Sequence, residues 1–489
     1  MKILKYCLIL ILFIGSGFSF AQEILEPEDF LSKEFHQDRR NKLRAALPSN
    51  SVAVFFANAE RNRANDVDYV YHQDPDFYYL TGYREPDAIL FIFKDEQVKS
   101  DGSKYSEIIF VQPRNEFYEM WTGRRLGDEG VKTKLALAEV FNNTDFKDYR
   151  LDFSKFEAIL FTDFKNDVRD DARDKADLYD LIIQFKEKVN YPVINSAELS
   201  QEPKPSNLDT QALKKVMAGL RGIKTAEELV LLKKAINISA VGQREVMRAM
   251  YPGMSETEIQ GIHEFVFKKY GAEYEGYPSI VGAGHNGCIL HYVDNNKPEI
   301  NSKEMVLMDL GAEYHGYTAD VTRTIPVNGK FSTEQKAIYE LVLKAQTEAM
   351  EASVAGISWQ VPNKLARDII NAGLADLGIT DSVGQKHNYY PHGLSHHIGL
   401  DVHDNGEYEV FKPGMVFTVE PGIYIPANSD CDEKWWDIAV RIEDDVMIDE
   451  NGKPVLLSGM APRTVEDIEK LMAEPSPLDN FVLPELDKK

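Results

Sequence analysis

The chain has 489 residues and a formal net charge of −24, and 43% of its residues are hydrophobic. That length is too great for one small core and points to two or three domains. The acidic balance argues against a nucleic-acid partner, because proteins that grip phosphate backbones present basic surfaces.

The first 21 residues read as a secretory signal peptide. Lys2 and Lys5 form a short positive region and Tyr6–Ile14 is apolar. Ser19 and Ala21 are the small residues that precede a cleavage site. The rival reading is an uncleaved anchor. It has only the 17 uncharged residues from Tyr6 to Gln22, at the short edge for crossing a bilayer. The expectation is an exported protein, periplasmic or extracellular, with no membrane attachment after cleavage. Cys7 lies too early in the apolar run to carry a lipid. Cys288 and Cys431 then remain, too few for a disulfide framework, and are expected to be free thiols.

A first domain is expected over 28–199. Short apolar runs (Val52–Phe56, Ala88–Phe93, Ile108–Val111, Ala158–Phe161) alternate with polar, helix-compatible stretches, a pattern of buried strands in an α/β layer. Residues 200–208 hold two prolines and little apolar content, and read as a linker. A second domain is expected over 209–470. Thr225 to Glu228, Ser255 to Glu258 and Ser332 to Gln335 are capping boxes, each followed by apolar residues at helical spacing. Pro252-Gly253 and Gly271 stop the first two helices. Between and after them lie extended runs: Met305–Asp309, Thr318–Thr324, Val416–Glu420 and Ile438–Glu443. In the last, alternation puts Arg441 and Glu443 on one face. Helices on a curved, mainly antiparallel sheet are expected, with a poorly ordered tail over 471–489.

Five ligand-type residues stand on or beside these runs. Asp309 and Asp320 lie in D-L-G-A-E-Y-H-G-Y-T-A-D-V-T-R-T, and His396 in H-G-L-S-H-H-I-G-L-D-V-H-D. Glu420 lies in T-V-E-P-G-I-Y and Glu443 in R-I-E-D-D. Four carboxylates and one imidazole suit two hard or borderline divalent ions that share bridging oxygens. Such a pair makes hydroxide at neutral pH and polarises a carbonyl, which is peptide hydrolysis without a covalent intermediate. An acidic side chain is ordinarily a solvated surface group, but a charge at a strand end among apolar residues is costly unless it is paired.

Over 209–470 these motifs resemble the pita-bread metallopeptidases, which include methionine aminopeptidase, prolidase and aminopeptidase P. Over 28–195 the chain resembles the N-terminal domain of aminopeptidase P. The strings there are D-V-D-Y-V-Y-H-Q-D-P-D-F-Y-Y-L-T-G at 66–82, E-P-D-A at 85–88 and E-M-W-T-G-R-R-L-G at 119–127. The resemblance implies a mixed α/β (α+β) fold: an N-terminal α/β domain and a C-terminal pita-bread domain. It implies that Asp309 chelates one ion, Asp320 and Glu443 bridge both, and His396 and Glu420 hold the other. Mn²⁺ is the expected ion; Co²⁺ or Zn²⁺ would fit the same ligands.

His291 and His403 match positions that contact substrate and the developing oxyanion or leaving nitrogen. His392 either contacts substrate or orients the ligand strand. His397 stands where many aminopeptidases P carry Trp, and takes no role. Glu420 would also move a proton from the bridging hydroxide to the leaving amine. Arg441 would pair with site carboxylates or Tyr424, or form a plain structural salt bridge. Trp121 is either core or, as in the family, a residue that reaches an active site, often a neighbouring subunit's. The implied protein is an Xaa-Pro aminopeptidase acting on peptides with proline second, assembled as a dimer or tetramer. Prolidase, which cuts Xaa-Pro dipeptides, is the nearest rival. A creatinase-type enzyme or a non-catalytic binding protein would have lost ligands that are complete here, and methionine aminopeptidase lacks the long N-terminal domain.

Overall fold

The computed structural model describes residues 29–192, 206–481 and 483–484. The signal-peptide segment 1–21, most of the linker segment and the last residues of the tail lie outside the described residues. Leu31–Lys489 forms one compact unit.

The N-terminal half is built on a single six-stranded sheet. Its order is Val140–Asn142, Lys104–Val111, Ile89–Val98, Ser51–Phe56, Ala158–Leu160 and Leu208–Asp209. The central pairings are antiparallel and the outer ones parallel. Side chains alternate across a strand, so the sheet feeds two cores. Val52 and Val54 join an aromatic cluster of Phe91, Phe110, Phe146 and Phe185 on one face. Ala53 and Phe55 join the other face, whose core is continuous with that of the C-terminal half.

Two features differ from the sequence expectation. Leu208–Asp209, the junction of the expected linker and second domain, is a strand of the N-terminal sheet. Asn207 and Asp209 supply the carbonyls that the Ile159 and Phe161 amides need, at 2.7 and 3.0 Å, so the edge is satisfied by chain that looks like linker. The tail beyond Met472 begins by packing, with Ser476 buried and the Pro475 carbonyl 2.6 Å from Arg248 Nη2.

The C-terminal half places long helices over short antiparallel sheets, the pita-bread arrangement. The Thr225 and Ser332 capping boxes close in both directions and start the helices Ala226–Ala249 and Thr333–Ala352. Ser255 caps Glu256–Lys269. Three strands, Ile280–Ala283, Met305–Leu310 and Val321–Pro326, lie side by side. A second set joins Val416–Val419, Asp444–Ile448 and Pro454–Leu456, and Gly422–Ile425 pairs with Ile438–Arg441. Two expected runs are interrupted. Thr318–Thr324 breaks at Ala319-Asp320, and Ile438–Glu443 ends at Arg441. The hairpin before Asp320 turns at His315 (φ 51°) and Gly316 (φ 87°). Both lie in the left-handed region that a tight two-residue turn demands. Among the described residues no helix is long and apolar enough to cross a membrane.

One core residue carries a cost. His263 is fully buried where the helices Ala226–Ala249 and Glu256–Lys269 pack together, and neither ring nitrogen has a partner among the described residues. Burial pulls its pKa from 6.5 to about 3. The unfolded chain protonates this imidazole below pH 6.5 while the native chain leaves it neutral. Stability is therefore lost as pH falls, by roughly 2 kcal/mol at about pH 5. His263→Leu is predicted to raise stability in urea unfolding, and by more at about pH 5 than at about pH 7.5. An equal change at both pH values would contradict this.

Candidate metal centre

Asp309 is the penultimate residue of Met305–Leu310, opposite Ile280 on one side and Thr322 on the other. The remaining carboxylates leave the backbone where strand pairing stops. Asp320 precedes Val321–Pro326, Glu420 follows Val416–Val419, and Glu443 lies between Ile438–Arg441 and Asp444–Ile448. The amides there are still satisfied: Asp320 N by Asp445 Oδ2 at 3.1 Å, Glu420 N by Leu394 O at 2.9 Å, Glu443 N by Thr322 O at 3.1 Å. A break that keeps its hydrogen bonds aims a side chain off the sheet without leaving a buried amide orphaned.

All five expected ligands converge. Ligand atoms of Asp320, His396 and Glu443 lie within 4.8 Å of one another. His396 Nε2 is 3.4 Å from Asp320 Oδ2 and 3.3 Å from Glu420 Oε1. Asp309 is tied to Asp320 through Tyr277, whose hydroxyl lies 2.6 Å from Oδ1 of each. Gly311 makes that approach possible. A Cβ there would fall 1.9 Å from the Ala319 carbonyl oxygen and 2.6 Å from the Tyr277 ring. His396 Nδ1 lies 3.1 Å from the His397 carbonyl, which selects the Nδ1–H tautomer and turns the Nε2 lone pair to the carboxylates.

The charges do not balance among these groups. Asp309, Asp320 and Glu443 are buried and Glu420 is half-buried. The guanidinium among them is Arg441, which pairs with Asp309 and lies 3.8 Å from Glu443 Oε2. Burial, then the Asp309 carboxylate, pushes Asp320 well above the usual carboxylate range. Burial and Asp320 do the same to Glu443. Glu420 is pushed up to about 8 by burial and then Glu443. One phenolic proton between two carboxylates, and one guanidinium among four, leaves negative charge that divalent cations would neutralise. The oxygen-rich donor set with one imidazole fits such ions.

Arg441 also donates to the Tyr424 hydroxyl at 3.1 Å and to the Thr322 hydroxyl at 3.2 Å. Thr322 in turn donates to Glu443 Oε2 at 2.6 Å. His392 Nδ1 faces the Gly393 carbonyl at 2.8 Å, so Nε2, 2.8 Å from the Tyr424 hydroxyl, is the acceptor. Burial and Arg441 hold its pKa down to about 4. His403 sits at the exposed mouth with its ring edge-on to His396, centroids 4.3 Å apart. Burial and His396 lower its pKa. His291, also exposed, is near enough to act electrostatically on both His392 and His403.

Two mouth histidines hang on buried carboxylates that sequence reasoning passed over. Glu256 accepts from Ala283 N, Asn286 Nδ2, Tyr292 OH and Lys297 N at 2.8–3.0 Å, which pins the segment carrying His291. Asp404 accepts from Lys224 Nζ at 2.6 Å and from Arg221, and Arg221 reaches Asp76 of the N-terminal half at 2.6 Å. Tyr277, Thr322 and Asp445 were missed as well. A signal existed for Asp445, a third acid in R-I-E-D-D inside an apolar strand; Tyr277 had none.

Two residues lie elsewhere. His397 does not wall the centre. Extended backbone alternates, so its ring points away from His396, into an aromatic cluster with Trp359 and Tyr408. Trp121 is not core: it is 78% exposed on the helix Glu116–Thr122, none of whose residues is buried.

Comparison with known proteins decides the family. Residues 36–158 match the model of the aminopeptidase P N-terminal domain, and residues 230–450 match that of metallopeptidase family M24. The chain is 37% identical to an Xaa-Pro aminopeptidase of Haemophilus influenzae, covering 90% of this chain and 98% of that one. It is 34% identical to the Xaa-Pro aminopeptidase of Escherichia coli over the same shares. The chain belongs to metallopeptidase family M24, with the aminopeptidase P domain arrangement. The solved E. coli aminopeptidase P with the inhibitor Pro-Leu aligns at a TM-score of 0.78 and 31% identity, over 91% of this chain and 98% of that one. This M24 member is a metallo-aminopeptidase, and its family works with divalent metal ions.

Because Asp320, Glu420 and Glu443 hold protons too tightly in the metal-free state, divalent binding should release protons near neutral pH. Calorimetric titrations at about pH 6.5 in buffers of different ionisation enthalpy are predicted to give different apparent enthalpies, with affinity falling as pH drops. Buffer-independent enthalpies would contradict the charge argument.

Proposed function

We propose that the protein is an exported Xaa-Pro aminopeptidase, releasing the first residue of peptides whose second residue is proline, at two divalent ions. The observation that carries the reading is the convergence of Asp309, Asp320, His396, Glu420 and Glu443 in a chain 37% identical to a curated Xaa-Pro aminopeptidase. In this reading those five residues hold the ions, with Mn²⁺ expected and Co²⁺ or Zn²⁺ able to use the same donors. When bound, such ions supply a Lewis acid for the scissile carbonyl and a water that loses its proton near neutral pH.

The protein's own groups do the rest. Glu420, half-exposed to the cleft and 3.8 Å by Oε2 from His392 Nδ1, takes the attacking water's proton and delivers it to the proline nitrogen as the C–N bond breaks. His291 and His403 face the developing oxyanion and the leaving nitrogen from the mouth. His403, its pKa lowered, stays neutral near pH 7 and donates a hydrogen bond without adding charge. Arg441 and Tyr424 hold Asp309 and His392 in place. An Xaa-Pro bond is a tertiary amide with no N–H, and none of these groups needs that hydrogen.

Export rests on the Lys2 to Ala21 pattern and predicts a mature protein that begins at Gln22. Self-association is supported by the helix Glu116–Thr122, where Phe117, Tyr118, Met120 and Trp121 are all largely exposed. N-terminal sequencing of the exported form and light scattering check both points. A retained leader or a monomer would count against them.

The activity is tested with Mn²⁺-loaded protein on an Xaa-Pro-Yaa tripeptide and the matching Xaa-Pro dipeptide, before and after chelation. Metal-dependent release of the first residue from the tripeptide is expected. Glu420→Gln should lower kcat by about 10²–10⁴-fold. Cleavage of the dipeptide alone would make the protein a prolidase. Full activity of a metal-loaded Glu420→Gln variant would remove Glu420 from the proton path.

A further inference from the structure

The two longest helices of the C-terminal half each carry one glutamine whose side chain is wholly buried. Gln243 lies on Ala226–Ala249 and Gln346 on Thr333–Ala352. Both amide groups point into the sheets, and both do the same thing. Gln243 Nε2 donates to the carbonyls of Met308 at 3.0 Å and Val321 at 2.8 Å. Met308 precedes Asp309 and Val321 follows Asp320. Gln346 Nε2 lies 3.1 Å from both the Val419 and Ile442 carbonyls. Val419 precedes Glu420 and Ile442 precedes Glu443.

The four carbonyls therefore flank the four carboxylates, one each. Three of them, those of Val321, Val419 and Ile442, belong to backbone at or next to the strand breaks, where a carbonyl has no guaranteed partner in the sheet; Met308 lies within its strand, one residue before Asp309. One amide bridging two such carbonyls also fixes the distance between the two chain segments. Gln243 thereby spans the Asp309 and Asp320 segments, and Gln346 the Glu420 and Glu443 segments. Gln346 is itself held. Its Oε1 accepts from Arg463 Nη1 at 3.1 Å, and its Nε2 also reaches Asp444 Oδ2 at 2.9 Å. Asp444 in turn pairs at 2.6 Å with Arg323, which donates to the Glu443 carbonyl at 2.7 Å.

We propose that Gln243 and Gln346 are positioning residues for the metal centre, each setting the separation of one pair of carboxylate-bearing segments. The inference rests on the ligand assignment proposed above. An apolar side chain of similar length, such as Met, fills the same space but cannot bridge two carbonyls. The segments would then be held by strand pairing alone, and a shift of a fraction of an ångström at the ligands is enough to disturb a site with demanding geometry.

The test is calorimetric titration of Mn²⁺ into chelator-stripped wild type, Gln243→Met and Gln346→Met, with melting temperatures of the metal-free forms measured alongside. Both variants are expected to bind Mn²⁺ about 10- to 100-fold more weakly than wild type. At one Mn²⁺ concentration, their melting temperatures should rise less on metal loading than that of wild type. A variant that melts lower without metal yet binds Mn²⁺ within about two-fold of wild type would overturn the proposal, since its glutamine would then serve packing alone. The two variants sit on different helices, so either one that folds decides the matter for its own pair. Wild-type protein that takes up no Mn²⁺ would overturn the ligand assignment and the inference with it, an outcome distinct from two variants that bind as wild type does.

Discussion

Among the described residues, four carboxylates share one pocket with a single guanidinium, and much of the C-terminal half is arranged around that imbalance. Left to itself the cluster would repel and protonate, as the raised pKa values of Asp320, Glu420 and Glu443 record. Burying like charges costs several kcal/mol per group unless counter-charge is supplied. In the proposed reading, cations from solution supply that counter-charge. Arg441 offsets part of the charge, and its place beside Asp309 and Tyr424 joins the carboxylates to the histidine side of the cleft.

Holding repelling groups in register requires rigid backbone beneath them. The carboxylates leave short antiparallel strands at or beside points where pairing stops, and long capped helices lie across those points. Farther out, Glu256 pins the segment with His291, and Asp404 pins the loop with His403 to Arg221 and, through it, to Asp76. The N-terminal half is thus wired into the placement of a mouth residue as well as packed against the same core. Exposed histidines gain fixed positions from buried acids that never reach the cleft.

What was legible in the sequence follows from the range of the forces involved. Capping boxes at Thr225 and Ser332 are local, and the helices begin where they say. The apolar runs Val52–Phe56 and Ile108–Val111 are local too, and both lie in strands. The convergence of the five motif residues was readable because an acid among apolar residues needs a reason. Tyr277, Glu256, Gln243 and Gln346 were not readable. Each acts on residues tens of positions away, and a part-buried tyrosine in a loop, or a buried glutamate or glutamine in a helix, has no distinctive neighbours. Leu208–Asp209 looked like the junction of linker and second domain because a two-residue edge strand has no periodicity. His397 and Trp121 depend on which way a side chain faces, and that emerges only from the assembled sheet and helix.

The central claim is that the buried charge is balanced by two divalent ions. Native mass spectrometry of the mature protein after Mn²⁺ loading tests it most directly, with Asp320→Asn as the comparison. The account predicts two ions per chain for the wild type and loss of at least one when Asp320 gives up its charge. A wild-type chain that takes up at most one ion, or an Asp320→Asn variant that keeps both, would contradict it.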